Sequence, residues 1–235
     1  MNFAPGRRRL LKAALVPATG AAPLAFVRGA AAAPEAKPLE RAYFTAAEFA
    51  WIEAAVSRLI PEDALGPGAR EAGVAGFIDR QLAGPYGRAE TWYMQGPWKQ
   101  GTEQQGYQLK LTPAQFYRTA IADIDAHCRA NRHGQAFALL DAATRDALLH
   151  ALEDGKVELA HVPAKPFFDM LLQNTVEGFL ADPMYGGNRG FAGWKLIGFP
   201  GPRYNYVDEI EQHGKHYAQP TVGLLGRDGT RVKDA

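Results

Sequence analysis

The sequence predicts an all-α fold, one domain of about six helices carrying long loops rich in aromatic residues, glycine and proline. Three observations predict it. Segment after segment repeats apolar residues at the i, i+3, i+4, i+7 spacing of a helix with one buried face. Two of those segments open on a capping box, in which a threonine hydroxyl accepts the N3 amide and the N3 side chain accepts the cap amide. No series of short alternating strands, and no repeat with a period of roughly 20–50 residues, interrupts them.

Residues 1–33 read as an address. Gly6-Arg7-Arg8-Arg9-Leu10-Leu11-Lys12 has the order of a twin-arginine export signal, carried by Arg7, Arg8, Leu10, Leu11 and Lys12. A mildly apolar stretch, Ala13 to Val27, is broken by Pro17, Gly20 and Pro23, and Ala30-Ala31-Ala32 offers small residues for cleavage. A permanent span would need ~20 largely uninterrupted apolar residues, and none occurs here or later. The expected destination is the periplasm, with the twin-arginine translocase as a transient partner. That route moves folded proteins, often ones assembled with a cofactor beforehand.

The overall formal charge is +1, but the leader holds five basic residues and no acid, so the remainder carries −4. A mildly acidic chain without a clustered basic face excludes nucleic acid as a partner. Hydrophobic residues at 47% and charged residues at 22% are those of a globular protein.

Residues 34–43 form a linker, and the helical domain spans 44–235 with an extended tail from about 203. Thr45-Ala46-Ala47-Glu48 is the first capping box, with Phe44 and Phe49 as its hydrophobic staple. Phe49, Ile52, Val56, Leu59 and Ile60 supply the buried stripe, and Pro61 stops the helix. A second helix buries Val74, Phe77, Ile78 and Leu82 and ends at Gly84-Pro85. Residues 84–111 are a long irregular connection holding Tyr86, Trp92, Tyr93, Trp98 and Tyr107; loops of this length are usually functional, and the aromatics read equally as interface anchors or as a small satellite core.

Thr112-Pro113-Ala114-Gln115 opens a third helix, with Leu111 and Phe116 as staple and Tyr117, Ala120, Ile121, Ile124 and Cys128 on one face. As the only cysteine, Cys128 forbids an internal disulfide and reads as a buried small hydrophobe, or else as a bridge to another chain. Shorter helices are expected near 134–141 and 144–153. A longer one follows Pro166, with Phe168, Leu171, Leu172, Thr175, Val176 and Phe179 as its stripe, and Asp182-Pro183 ends it. Then Tyr185-Gly186-Gly187-Asn188 and the aromatics Phe191, Trp194 and Phe199 form a glycine-hinged loop expected to pack on its own helix or on a partner. Asp182 is expected to cap the turn, and Asn188 reads as turn chemistry before ligand binding. Beyond Gly201 one short helix near 204–210 is expected, and Gln219 to Gly226 looks extended, lying across this domain or a partner.

Motifs for chemistry are missing. Gly66-Pro67-Gly68 and the Gly223 to Gly229 segment lack the strand–turn–helix context and spacing of a dinucleotide site. Ser57 is the one serine and lies inside the first helix, which leaves serine hydrolase chemistry without a nucleophile. His213 and His216 are the only close histidine pair, with Asp208 and Glu209 as the nearest further metal ligands. No catalytic, cofactor-binding or metal-binding residue is therefore expected on this chain.

The segments Thr175-Val176-Glu177-Gly178-Phe179, Asp182 to Asn188 and Gly193 to Gly201 resemble the gluconate 2-dehydrogenase subunit 3 family. So do Leu59-Ile60-Pro61, Gly66 to Gly73, Phe77 to Leu82, Gly84-Pro85-Tyr86, Gly96-Pro97-Trp98 and Leu111 to Gln115, so the resemblance covers nearly everything after the leader. It implies a small, cofactor-free subunit of a periplasmic dehydrogenase for sugars or sugar acids. The large subunit would carry FAD, a multihaem cytochrome c would take the electrons to quinone, and the small subunit would bind the flavoprotein and carry it through export. Tyr86, Trp92, Trp98, Tyr185, Asn188, Phe191 and Trp194 are the residues expected at that interface. The alternatives are a self-sufficient metal-dependent enzyme built around His213 and His216, and a sugar-binding module using the aromatic loops as its pocket.

Overall fold

Thr45 caps the first helix as its neighbours dictate: Oγ1 accepts the Glu48 amide at 3.3 Å while Glu48 Oε2 accepts the Thr45 amide at 2.8 Å. The computed structural model describes residues 41–99 and 101–226. Among them are six α-helices: α1 (Ala46–Leu59), α2 (Val74–Ala83), α3 (Pro113–Asn131), α4 (Ala142–Glu153), α5 (Ala164–Leu180) and α6 (Ala192–Ile197). Five short 3₁₀ turns lie between and after them, and no strand is present among the described residues beyond two isolated bridges. None of these helices is long and apolar enough to cross a membrane.

The helix α5 is the axis of the fold, touching each of the other five. Phe167, near its start, sits at the centre of an aromatic cluster: Tyr117 at 5.4 Å, Phe116 at 5.8 Å and Trp51 at 5.9 Å between ring centroids, the last packed in turn at a tilt on Phe137 at 4.6 Å. These rings are wholly enclosed, and edge-to-face contacts of this kind add to their hydrophobic burial. Because α5 is covered on several sides, its buried face is wider than the single expected stripe. Phe167, Met170, Asn174 and Gly178 join Phe168, Leu171, Thr175 and Phe179, while Val176 turns outward. The helices α2 and α5 cross where Gly178 lets the Phe77 ring approach; a Cβ there would stand 2.7 Å from Phe77 Cδ1.

Three local expectations change. Residues 134–141 form no α-helix but a single 3₁₀ turn, Phe137–Leu139, because His133 and Gly134 take left-handed conformations and Asp141 already serves α4. Its carboxylate accepts the Thr144 amide at 2.9 Å, so the residue expected to end one helix instead begins the next. The aromatic loop contains a helix of its own, α6, entered through left-handed Asn188, Gly190 and Phe191. Near 204–210 only a 3₁₀ turn, Val207–Glu209, forms.

Two fastenings position the rest. Asp79, buried on α2, accepts the backbone amides of Ala42, Tyr43 (3.0 Å) and Phe44 (2.7 Å), tying the entry of the domain to the core. Cys128 is buried on α3, and desolvation pushes its thiol up to about 11. Enclosure in this chain makes it a core side chain with no surface for a bridge.

Candidate partner-binding surface

The last turn of any helix leaves carbonyls without intrahelical partners. At the end of α5 two side chains from the following loop meet them. Trp194 Nε1 donates to the Leu180 carbonyl at 2.7 Å, and Asn188 Nδ2 donates to the Ala181 carbonyl at 2.8 Å. Asn188 Oδ1 in turn accepts the Gly193 amide at 2.9 Å, joining the start of α6 to the same point. Gly187 and Gly193 make this approach possible, since a Cβ at either would collide with the carbonyls of Gly178 and Phe179. Trp194 then stacks on Phe191 at 5.4 Å and meets the edge of Phe199 at 5.0 Å. Asp182 caps the turn through the Met184 amide at 3.0 Å and also receives the Leu224 amide at 2.8 Å, so the C-terminal segment lies against this domain.

This geometry revises the residues expected to face a partner. Asn188, Phe191 and Trp194 are enclosed in their own chain, and their polar atoms are committed to α5 and α6. Tyr185 alone of that loop's candidates stands outside, 48% exposed.

The connection between α2 and α3 divides differently. Tyr86 meets the edge of Trp92 at 5.7 Å, Trp92 packs on Tyr107 at 5.1 Å, and Tyr107 reaches Phe116 in the core at 5.8 Å. Three phenols are anchored by acceptors inside the domain. Tyr86 (3.1 Å) and Tyr117 (2.9 Å) both donate to Asn174 Oδ1, whose Nδ2 donates to Glu177, and Tyr107 donates to the Leu111 carbonyl at 2.6 Å. Burial pushes all three phenols up, which keeps them protonated donors. Tyr86 and Trp92 are thus half-buried members of a satellite core, whereas Trp98 (40%) and Tyr93 (80%) remain exposed.

These elements also create an exposed apolar groove of about 560 Å³ between α2 and α5. Phe77, Val176, Leu180, Ala181 and Tyr185 line it, together with the polar Gln81 and Glu177. Leu180 continues it toward α6 by lying against Gly193. Val176, Leu180, Met184 and Tyr185 are each more than a third exposed. Single exposed apolar residues are ordinary, but a contiguous patch in a concavity marks an interaction site. The sequence places Val176 on the buried stripe of α5, and the structure turns it outward into this groove.

The remaining sequence candidates stay apart. His213 and His216 are exposed, and among the described residues no three His, Cys, Asp or Glu side chains gather as a metal site. Gly66 and Gly68 lie in the turn between α1 and α2, and Gly223 pairs with Gly226 in a tight bridge. The export residues Arg7, Arg8, Leu10, Leu11 and Lys12 lie outside the described residues.

A family model described as "Gluconate 2-dehydrogenase subunit 3" matches residues 46–201, from the first residue of α1 to just past α6. No curated protein and no solved structure matches the chain.

Proposed function

The chain belongs to the gluconate 2-dehydrogenase subunit 3 family, and from that premise we propose that it is the non-catalytic small subunit of a periplasmic, FAD-dependent sugar or sugar-acid dehydrogenase. Its place as a subunit of a gluconate 2-dehydrogenase-like complex rests on one observation, the match across all six helices. Its finer role is to bind the large flavoprotein and to carry it, folded, through the twin-arginine translocase. FAD on the large subunit takes the electrons from the sugar substrate, and haem c on a multihaem cytochrome subunit passes them toward quinone. Membrane association comes through those partners.

Two features support this reading. The motif around Arg7 and Arg8 is an address for folded cargo. The helical domain also turns a concave apolar surface outward at α2 and α5, as a chain built to be covered by another would. Tagged protein purified from the periplasm of its host is expected to bring a larger, yellow, flavin-bearing chain. A colourless single chain would overturn the subunit role. Replacing Arg7 and Arg8 together by lysine should strand the flavoprotein in the cytoplasm; normal export of the partner would refute the carrier role alone.

A further inference from the structure

Next to the lining of the groove between α2 and α5 stand two arginines that form no ion pair among the described residues. Arg80 follows Phe77 by three residues and precedes Gln81, so it projects from the helical face that forms one wall. It lies across Gly186, next to Tyr185, in space that any side chain at Gly186 would fill. Arg189 lies across Gly73, the residue that caps the start of α2 four positions before Phe77, where a Cβ would stand 2.5 Å from its Nε. Among the described residues no carboxylate oxygen stands within 4.0 Å of either guanidinium, and neither side chain donates a hydrogen bond. Burial, and then the charge of Arg80, weaken the hold of Arg189 on its proton, while Glu53 acts the other way with a smaller effect. The one carboxylate in the groove itself, Glu177, has both oxygens occupied by the Gln173 and Asn174 amides. The two guanidiniums next to the groove therefore keep their donors unused by this chain's described residues.

We propose that this groove is where the large dehydrogenase subunit docks, and that it receives a segment of that subunit in which an apolar side chain is flanked by aspartate or glutamate. The inference rests on the subunit role proposed above. The apolar side chain fills the space over Phe77, Val176 and Leu180, and the carboxylates take the forked donors of Arg80 and Arg189 in the paired geometry that arginine favours. Arginine beside an aromatic-lined pocket is the composition of an interface hot spot.

The test uses the full-length chain co-expressed with the flavin-bearing large subunit of the same host, with affinity measured on the purified proteins. Arg80→Glu with Arg189→Glu, and separately Val176→Asp, should each weaken the complex at least tenfold, with helicity and melting temperature unchanged. Tyr93→Asp, on the far aromatic loop, should leave affinity as it is. The charge-reversed variant decides the matter if Val176→Asp fails to fold. A complex of undiminished affinity in the charge-reversed variant overturns the inference and leaves the subunit role standing. A wild-type chain that binds no large subunit overturns both. A free chain that pairs with itself through this groove in light scattering also overturns the inference.

Discussion

Two loops of this protein are dense in aromatic side chains, and they use them oppositely. From the end of α5 into α6, Asn188, Phe191 and Trp194 fold inward while Tyr185 stays outside, because the end of α5 leaves carbonyls that an indole N–H and an asparagine amide can reach. Glycines at 187 and 193 remove the side chains that would hold the loop away. Between α2 and α3 only two of the five aromatics find such acceptors. Tyr86 and Tyr107 do, with Trp92 held between them, and the stretch from Tyr93 to Trp98 stays at the surface. Orphan carbonyls at the end of α5 draw Trp194 and Asn188 inward, whereas Trp92 is held between Tyr86 and Tyr107 by ring contacts.

The comparison breaks first at Trp194. Trp194→Ala removes a nearly enclosed ring and uncovers the Leu180 carbonyl, and should cost about 3–5 kcal/mol of stability in urea unfolding. Unchanged stability with a lost partner would make Trp194 a surface group and erase the contrast. Gly187→Ala comes next, since its new methyl meets the Gly178 carbonyl; about 1–3 kcal/mol should be lost, read as a lower denaturation midpoint at constant slope. On the other loop Thr112→Ala removes the cap that begins α3 and should cost about 1 kcal/mol, while Thr112→Ser restores it. The smallest effect belongs to Trp98→Ala. Thermal unfolding should place it within about 0.5 kcal/mol of wild type, and a larger loss would show that the α2–α3 loop is packed throughout.

What could be read in advance was what is local. Both capping boxes, the turn at Asp182 and the stop at Pro61 depend on residues within a few positions of one another, and the structure places each as expected. The helical face of α3, from Tyr117 to Cys128, is equally plain, since that helix is covered on one side. On α5 the same reasoning selects Phe168 over Phe167, although the latter is the centre of the core. Periodicity cannot rank two adjacent apolar residues when a helix is covered on several sides. The helix α6 escaped because its entry puts Phe191 at φ 60°, a conformation a bulky residue rarely takes and no local pattern announces. Nor could spacing show that Trp194 would meet α5, or that Arg80 and Arg189 would flank one groove. Those depend on contacts across the fold, as does the hold of Asp79 on residues 35 to 37 positions earlier.

That hold has a mechanical consequence. Tension applied through the residues before Ala42 does not reach α1 directly. It is met first by three amides gripping one buried carboxylate on α2, and by α3, where Arg118 bonds the Tyr43 carbonyl at 3.0 Å and the Tyr43 hydroxyl bonds the Ala114 carbonyl at 2.6 Å. Bonds loaded side by side must give way together. A pull arriving at Ala42 is therefore shared among α2 and α3 before it reaches the first turn of α1.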